Sequence, residues 1–163
     1  MLKRISSILS PELVKTLMEM GHGDELVLAD ANFPAVSMAQ RLVRCDGLGI
    51  EELLDAILEL FPLDTYVEKP VALMAVVPGD TVVPKIWEAY ARVVANRERA
   101  MEFEFEDRFA FYERARRAFA VVATGERALY ANVILKKGVV PEGESPTSLS
   151  FEAQNKEVFQ STH

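Results

Sequence analysis

The sequence predicts a three-layer α/β/α single domain built on a largely parallel or mixed sheet. Three observations carry this expectation. Apolar runs of strand length alternate along the chain with amphipathic segments of helical period. One run, Val71 to Val77 (VALMAVV), is apolar on both faces, as a central strand covered on each side must be. The chain has 163 residues, of which 50% are hydrophobic, which suits one buried core.

Ser10 followed by Pro11 has the form of an N-cap with proline in the first helical position, and Leu13, Val14, Leu17 and Met18 continue as one apolar stripe toward Gly21. Glu25 to Ala29 (ELVLA) then reads as a buried strand that ends at Asp30. An unpatterned stretch leads to a strand at Arg41 to Cys45 and a turn at Asp46-Gly47. The clearest helix follows. Ile50, Leu53, Leu54, Ile57, Leu58 and Phe61 recur at steps of three and four, opposite Glu51, Glu52, Asp55 and Glu59, until Pro62. After the Val71–Val77 strand, Pro78-Gly79-Asp80 turns the chain, and Pro84 opens a helix with Ile86, Trp87, Tyr90, Val93 and Val94 inward and a Glu88–Arg92 pair outward. Met101 to Phe105 (MEFEF) alternates like a half-buried strand. Arg108 to Arg117 reads as a short helix with a Glu113–Arg117 pair, Phe119 to Thr124 as a strand, Gly125-Glu126 as a turn and Tyr130 to Leu135 as the last strand. Residues 1–140 form the expected domain, and 141–163, richer in Ser, Glu, Pro and Gly, a C-terminal tail.

Composition removes several classes of function. A formal net charge of −7 disfavours nucleic acid as a partner. No apolar run nears the roughly 18 residues of a membrane span, and the first twenty residues lack the sectors of a signal peptide, so we expect a cytoplasmic protein with no membrane partner. One cysteine, Cys45, allows no internal disulfide, and two histidines, His22 and His163, supply too few ligands for structural zinc. Cys45 reads as a small buried hydrophobe rather than a nucleophile.

The most informative string is Gly21-His22-Gly23-Asp24, between a helix end and a strand start. Two glycines can hold an imidazole in an open site, and a histidine, with an unperturbed pKa of about 6.5, suits proton transfer near neutrality. The competing account is a helix terminus with a surface His22 paired to Asp24. The G-x-G here precedes a strand and lacks a third glycine, which argues against dinucleotide binding. Asp30 stands where open α/β sheets place ligands if its strand ends at the binding edge; alternatively it caps the amides of Asn32 or Phe33. Arg108, Phe109, Tyr112, Tyr130 and Asn132 could grip a small polyhydroxylated molecule, or could be core and surface residues of their own elements.

Taken together, SPELVKTLMEMGHGDELVLADANFPA, RCDG and DRFAFYERARRAFAVVATGERALYANVILKKGV resemble the fucose mutarotase and ribose pyranase family over about residues 1–140. The combination of GHGD, FAFYERA, TGER and YAN is much more specific than any one of these strings. The resemblance implies an α/β enzyme, an isomerase, that equilibrates ring forms of free monosaccharides without a cofactor or metal. It also implies active sites between subunits of ring-shaped, often decameric homo-oligomers. By motif, it implies that His22 is the proton donor, that Asp30 and Arg108 bind sugar, and that Tyr130, Ala131 and Asn132 form the late sugar-contacting triplet. The RFAFYERA string is similar to the L-fucose type, whereas Ala131 is similar to the YAN of the D-ribose type. Three functions follow from these features: anomer interconversion of L-fucose, pyranose–furanose interconversion of D-ribose, and non-catalytic sugar binding as a transport accessory.

Overall fold

In a computed structural model, which describes residues 1–144, six strands form one sheet in the order β2-β5-β1-β6-β3-β4. In chain order the elements are α1 (Pro11–Glu19), β1 (Glu25–Ala29), α2 (Ala35–Met38), β2 (Leu42–Cys45), α3 (Ile50–Leu58) and β3 (Val71–Met74). They continue as α4 (Ile86–Arg97), β4 (Glu104–Glu106), α5 (Arg108–Arg117), β5 (Ala120–Thr124) and β6 (Val133–Lys136). The proposed tail at 141–163 lies mostly outside the described residues.

The sheet is mixed. β2, β5 and β1 pair in parallel, as do β3 and β4, while β6 runs antiparallel to β1 on one side and β3 on the other. Side chains alternate across it, so Leu26, Leu28, Val122, Val133 and Leu135 face one core and Val27, Ala29, Val121 and Ile134 face the other. The first core is closed by α1, α3 and α4 through Leu13, Ile50, Leu53, Leu54, Ile57, Tyr90 and Val94; the second by α2 and α5 through Ala35, Met38, Phe111 and Ala115. This is the three-layer arrangement the alternating pattern implies.

Local chemistry explains the boundaries. The Ser10 side chain accepts from the Leu13 amide at 3.1 Å, a cap of about 1 kcal/mol. Asp107 does the same for α5, accepting from Phe109 and Ala110. Several details depart from expectation. The unpatterned stretch holds the single-turn helix α2. β3 ends at Met74, because its partner β4 is only three residues long. β6 begins at Val133, after an irregular segment in which Tyr130 has φ 57°. The ion pairs differ too: Glu113 meets Arg116 instead of Arg117, and on α4 it is Arg97 that engages a carboxylate, Asp55 at 2.7 Å.

Candidate functional site

Because β6 runs against its neighbours, its beginning lies at the edge where β1 and β3 end. Asp30, just past β1, therefore meets Asn132, just before β6. The Asp30 amide donates to Asn132 Oδ1 at 2.8 Å, and Asn132 Nδ2 donates to Asp30 Oδ2 at 3.0 Å. Asp30 Oδ1 also accepts from the Asn32 amide at 2.9 Å, so the loop-capping account of Asp30 is realised at the carboxyl end of β1. Burial raises the Asp30 pKa, and the hydrogen bonds from Asn32 and Asn132 only partly offset it.

These residues line a cleft of about 220 Å³ with Asn32, Phe33, Met74, Asp80, Arg108, Tyr112 and Tyr130. That is below the roughly 300–1,000 Å³ of drug-sized ligand sites, as befits a small ligand. Arg108 enters from the first turn of α5, with its Nε donating to the Tyr112 hydroxyl at 3.3 Å. Phe33 meets the Tyr112 ring edge-on at 5.6 Å between centroids. Phe109, by contrast, is exposed, and Phe111 is the aromatic residue that α5 buries.

The triplet before β6 is held from behind by α4. Trp87 Nε1 donates to the Tyr130 carbonyl at 2.8 Å and the Tyr90 hydroxyl to the Ala131 carbonyl at 2.7 Å. Tyr130 is left-handed, at a cost of about 1–2 kcal/mol for a residue with a Cβ, which the two clamped carbonyls offset. Its hydroxyl donates to Asp80 Oδ2 at 2.6 Å across the cleft. That bond lowers the Asp80 pKa and raises that of Tyr130, which stays a neutral phenol. Ala131 is fully buried and does not line the cleft, while Asn132 does.

His22 is not there. It precedes β1, at the opposite edge of the sheet, and the five residues of β1 alone put about 16 Å between the two ends. Its partner is Asp64, at 3.0 Å from Nε2, and not Asp24, which accepts from the Gly21 amide at 2.7 Å. The loop is fixed to the end of β6, where Gly23 donates to the Lys137 carbonyl at 2.8 Å and Lys137 to the Asp24 carbonyl at 2.9 Å. His22 also lines an apolar recess of about 490 Å³ with Ile5, Val14, Met18, Leu60 and Val140. The described residues thus bring together Asp30, Arg108, Tyr130 and Asn132 and leave His22 apart. Sequence reasoning missed Asp80 and Asp64, whose partners lie 50 and 42 residues away.

Residues 3–140 match the RbsD / FucU transport protein family. A protein named L-fucose mutarotase from Actinobacillus pleuropneumoniae serotype 5b (strain L20) is 52% identical over 142 residues, which cover 86% of this chain and 99% of that protein. Among solved structures, the fucose mutarotase from Streptococcus pneumoniae in complex with L-fucose is 54% identical, with a TM-score of 0.81 over 86% of this chain and 100% of that one. RbsD from Bacillus subtilis complexed with D-ribose is 27% identical, with a TM-score of 0.63 over 86% of this chain and 100% of that one.

Proposed function

The chain belongs to the RbsD / FucU transport protein family, and from that premise we propose that it is an isomerase interconverting the α and β anomers of L-fucose. The observation that carries the reading is the convergence of Asp30, Arg108, Tyr130 and Asn132 on one small cleft. This set offers a carboxylate, a guanidinium, a phenol and an amide, a mixture of donors and acceptors suited to hydroxyl groups of either polarity. The sugar preference is supported by likeness: 52% and 54% identity to proteins named for fucose, against 27% to one complexed with D-ribose.

Mutarotation needs a proton taken from the anomeric hydroxyl and one given to the ring oxygen; the ring opens to the aldehyde, the C1–C2 bond turns and the ring recloses. Acid/base groups suffice, each contributing about a hundredfold to ten-thousandfold, so neither cofactor nor metal enters. His22 transfers a proton. Asp30, Arg108 and Asn132 orient hydroxyls, and Tyr130, whose own proton is engaged by Asp80, acts as a positioned neutral hydroxyl. Ala131 is the small spacer that lets its neighbours reach the cleft.

The separation of His22 from the cleft supports a site shared between subunits, in which one copy supplies the imidazole and the next the sugar grip. The apolar recess beside His22, with Met18 80% exposed, supports burial against a second copy in a ring-shaped homo-oligomer, a decamer by family expectation. Residues 1–140 are the mutarotase domain. A free monosaccharide as substrate, together with the buried, unpaired Cys45, supports a cytoplasmic setting.

Exchange NMR on L-fucose and D-ribose tests the reaction. Faster anomer exchange of L-fucose is expected, whereas an excess of ribose pyranose–furanose exchange would reverse the assignment. His22→Ala should abolish acceleration while leaving affinity nearly intact; a mere sugar binder has no rate to lose. Mixing inactive His22→Ala with inactive Asp30→Ala should restore part of the exchange through hybrid sites, and no recovery on subunit exchange would remove the shared-site reading.

A further inference from the structure

Among the described residues, Asp64 is the carboxylate bonded to the His22 ring, and its placement is over-determined. Its amide donates to the Lys136 carbonyl at 3.0 Å, and Leu63 before it bridges Lys137, so its backbone is tied to the end of β6. Its side chain is 4% exposed, against 44% for His22. Oδ1 accepts from the Tyr66 amide at 3.0 Å and faces His22 Nε2 at 3.0 Å. Burial pushes the Asp64 carboxyl up, but the Tyr66 amide and the His22 ring outweigh it and hold the group below the usual range. It therefore stays ionised near neutrality, and an ionised carboxylate only accepts.

The other charged groups around the ring have partners of their own. The Lys137 ammonium donates to the carbonyls of Leu17 and Met20, and the Asp24 carboxylate accepts from the Gly21 amide. Lys136 adds positive charge near Asp64. The Tyr66 ring flanks the imidazole, at 5.3 Å between centroids. A buried carboxylate is a costly way to satisfy one backbone amide, whereas orienting an imidazole and fixing its tautomer is a role this group serves well.

We propose that Asp64 is a positioning residue for the isomerisation: it holds His22 with the proton on Nε2, leaving Nδ1 as the atom that exchanges a proton with the sugar. This rests on the reading of His22 as the proton-transfer group. Asp64→Asn keeps the shape but removes the charge: its amide oxygen, held in place by the Tyr66 amide, still accepts from Nε2–H, but through a weaker neutral hydrogen bond that no longer stabilises the ring as it gains a proton.

Exchange kinetics on L-fucose should show kcat reduced about 10- to 100-fold with KM changed less than about twofold. Asp64→Glu should recover part of the rate, and His22→Ala/Asp64→Asn should be no slower than His22→Ala alone. ¹⁵N NMR of the ring nitrogens in the unaltered protein supplies a readout free of any folding defect, and the neutral ring should be protonated on Nε2. A neutral ring protonated on Nδ1, or folded Asp64→Asn with unaltered kcat, would overturn the proposal. His22→Ala with full exchange would instead overturn the reading of His22 itself.

Discussion

Replacing Arg114 should destabilise the protein far more than removing an exposed cation such as Lys15. Its guanidinium meets Glu25 of β1 at 2.8 Å and, on β4, Glu104 at 2.9 Å and Glu106 at 3.0 Å. Burial works against its charge, but the three carboxylates outweigh that and raise its pKa. Arg114→Met keeps much of the volume and leaves three carboxylates facing each other. Breaking a buried pair typically costs about 3–5 kcal/mol, and because Glu104 is 44% exposed a range shifted downward applies, about 2–4 kcal/mol. For a domain of this size that lowers Tm by about 5–12 °C. Urea unfolding at neutral pH measures this, with Lys15→Ala, which removes the exposed Lys15–Glu19 pair, expected to change stability by less than about 0.5 kcal/mol. A deficit below about 1 kcal/mol, or one no larger than that of Lys15→Ala, would refute the reasoning.

Tyr90→Phe strips the hydroxyl from the buried Ala131 carbonyl and should cost about 1–3 kcal/mol by urea denaturation, with slower sugar exchange as the triplet loosens. Asn132→Ala leaves both the Asp30 amide and Asp30 Oδ2 without their partner; a loss of about 1–3 kcal/mol and a lower kcat/KM are expected, and unchanged affinity for L-fucose would count against the cleft. Acidification should unfold the protein. Arg44 and Arg97 lower the pKa values of Asp46 and Asp55, Tyr130 that of Asp80, and the Tyr66 amide with His22 that of Asp64 against its burial. Each contributes stability that is present above the unfolded value of about 3.9 and lost as pH falls below it. Asp30 has the opposite sign: its raised pKa makes its contribution decline as pH rises above about 3.9. Urea midpoints should therefore drop from pH 5 to pH 3, and a flat profile would contradict the assignment.

The fold was legible where an element carries its own punctuation. β1 runs over the residues expected of it because ELVLA is bounded by a turn and by Asp30, and α5 does so because Asp107 caps it and Ala118 leaves the helical region. The one-turn α2 has too few residues to show a period. The Glu113–Arg117 pair failed because spacing specifies only local neighbours, while the main ionic cluster joins Arg114 to residues on two strands. The same distinction governs the site. Asp30, Arg108, Tyr130 and Asn132 stand at the ends of readable elements, and the structure brings them together. Asp80 and Asp64 look like ordinary turn residues, because what sets them apart is contact with Tyr130 and His22.

The strand that joins the two halves of the sheet is the last one among the described residues. Until β6 is available, β2, β5 and β1 have no pairing to β3 and β4, since every hydrogen bond between these groups runs through Val133–Lys136. On a translating ribosome, β1 and β2 would therefore stay unpaired until β5 emerges, and β6, close behind it, would seal the sheet and shape the cleft in one event.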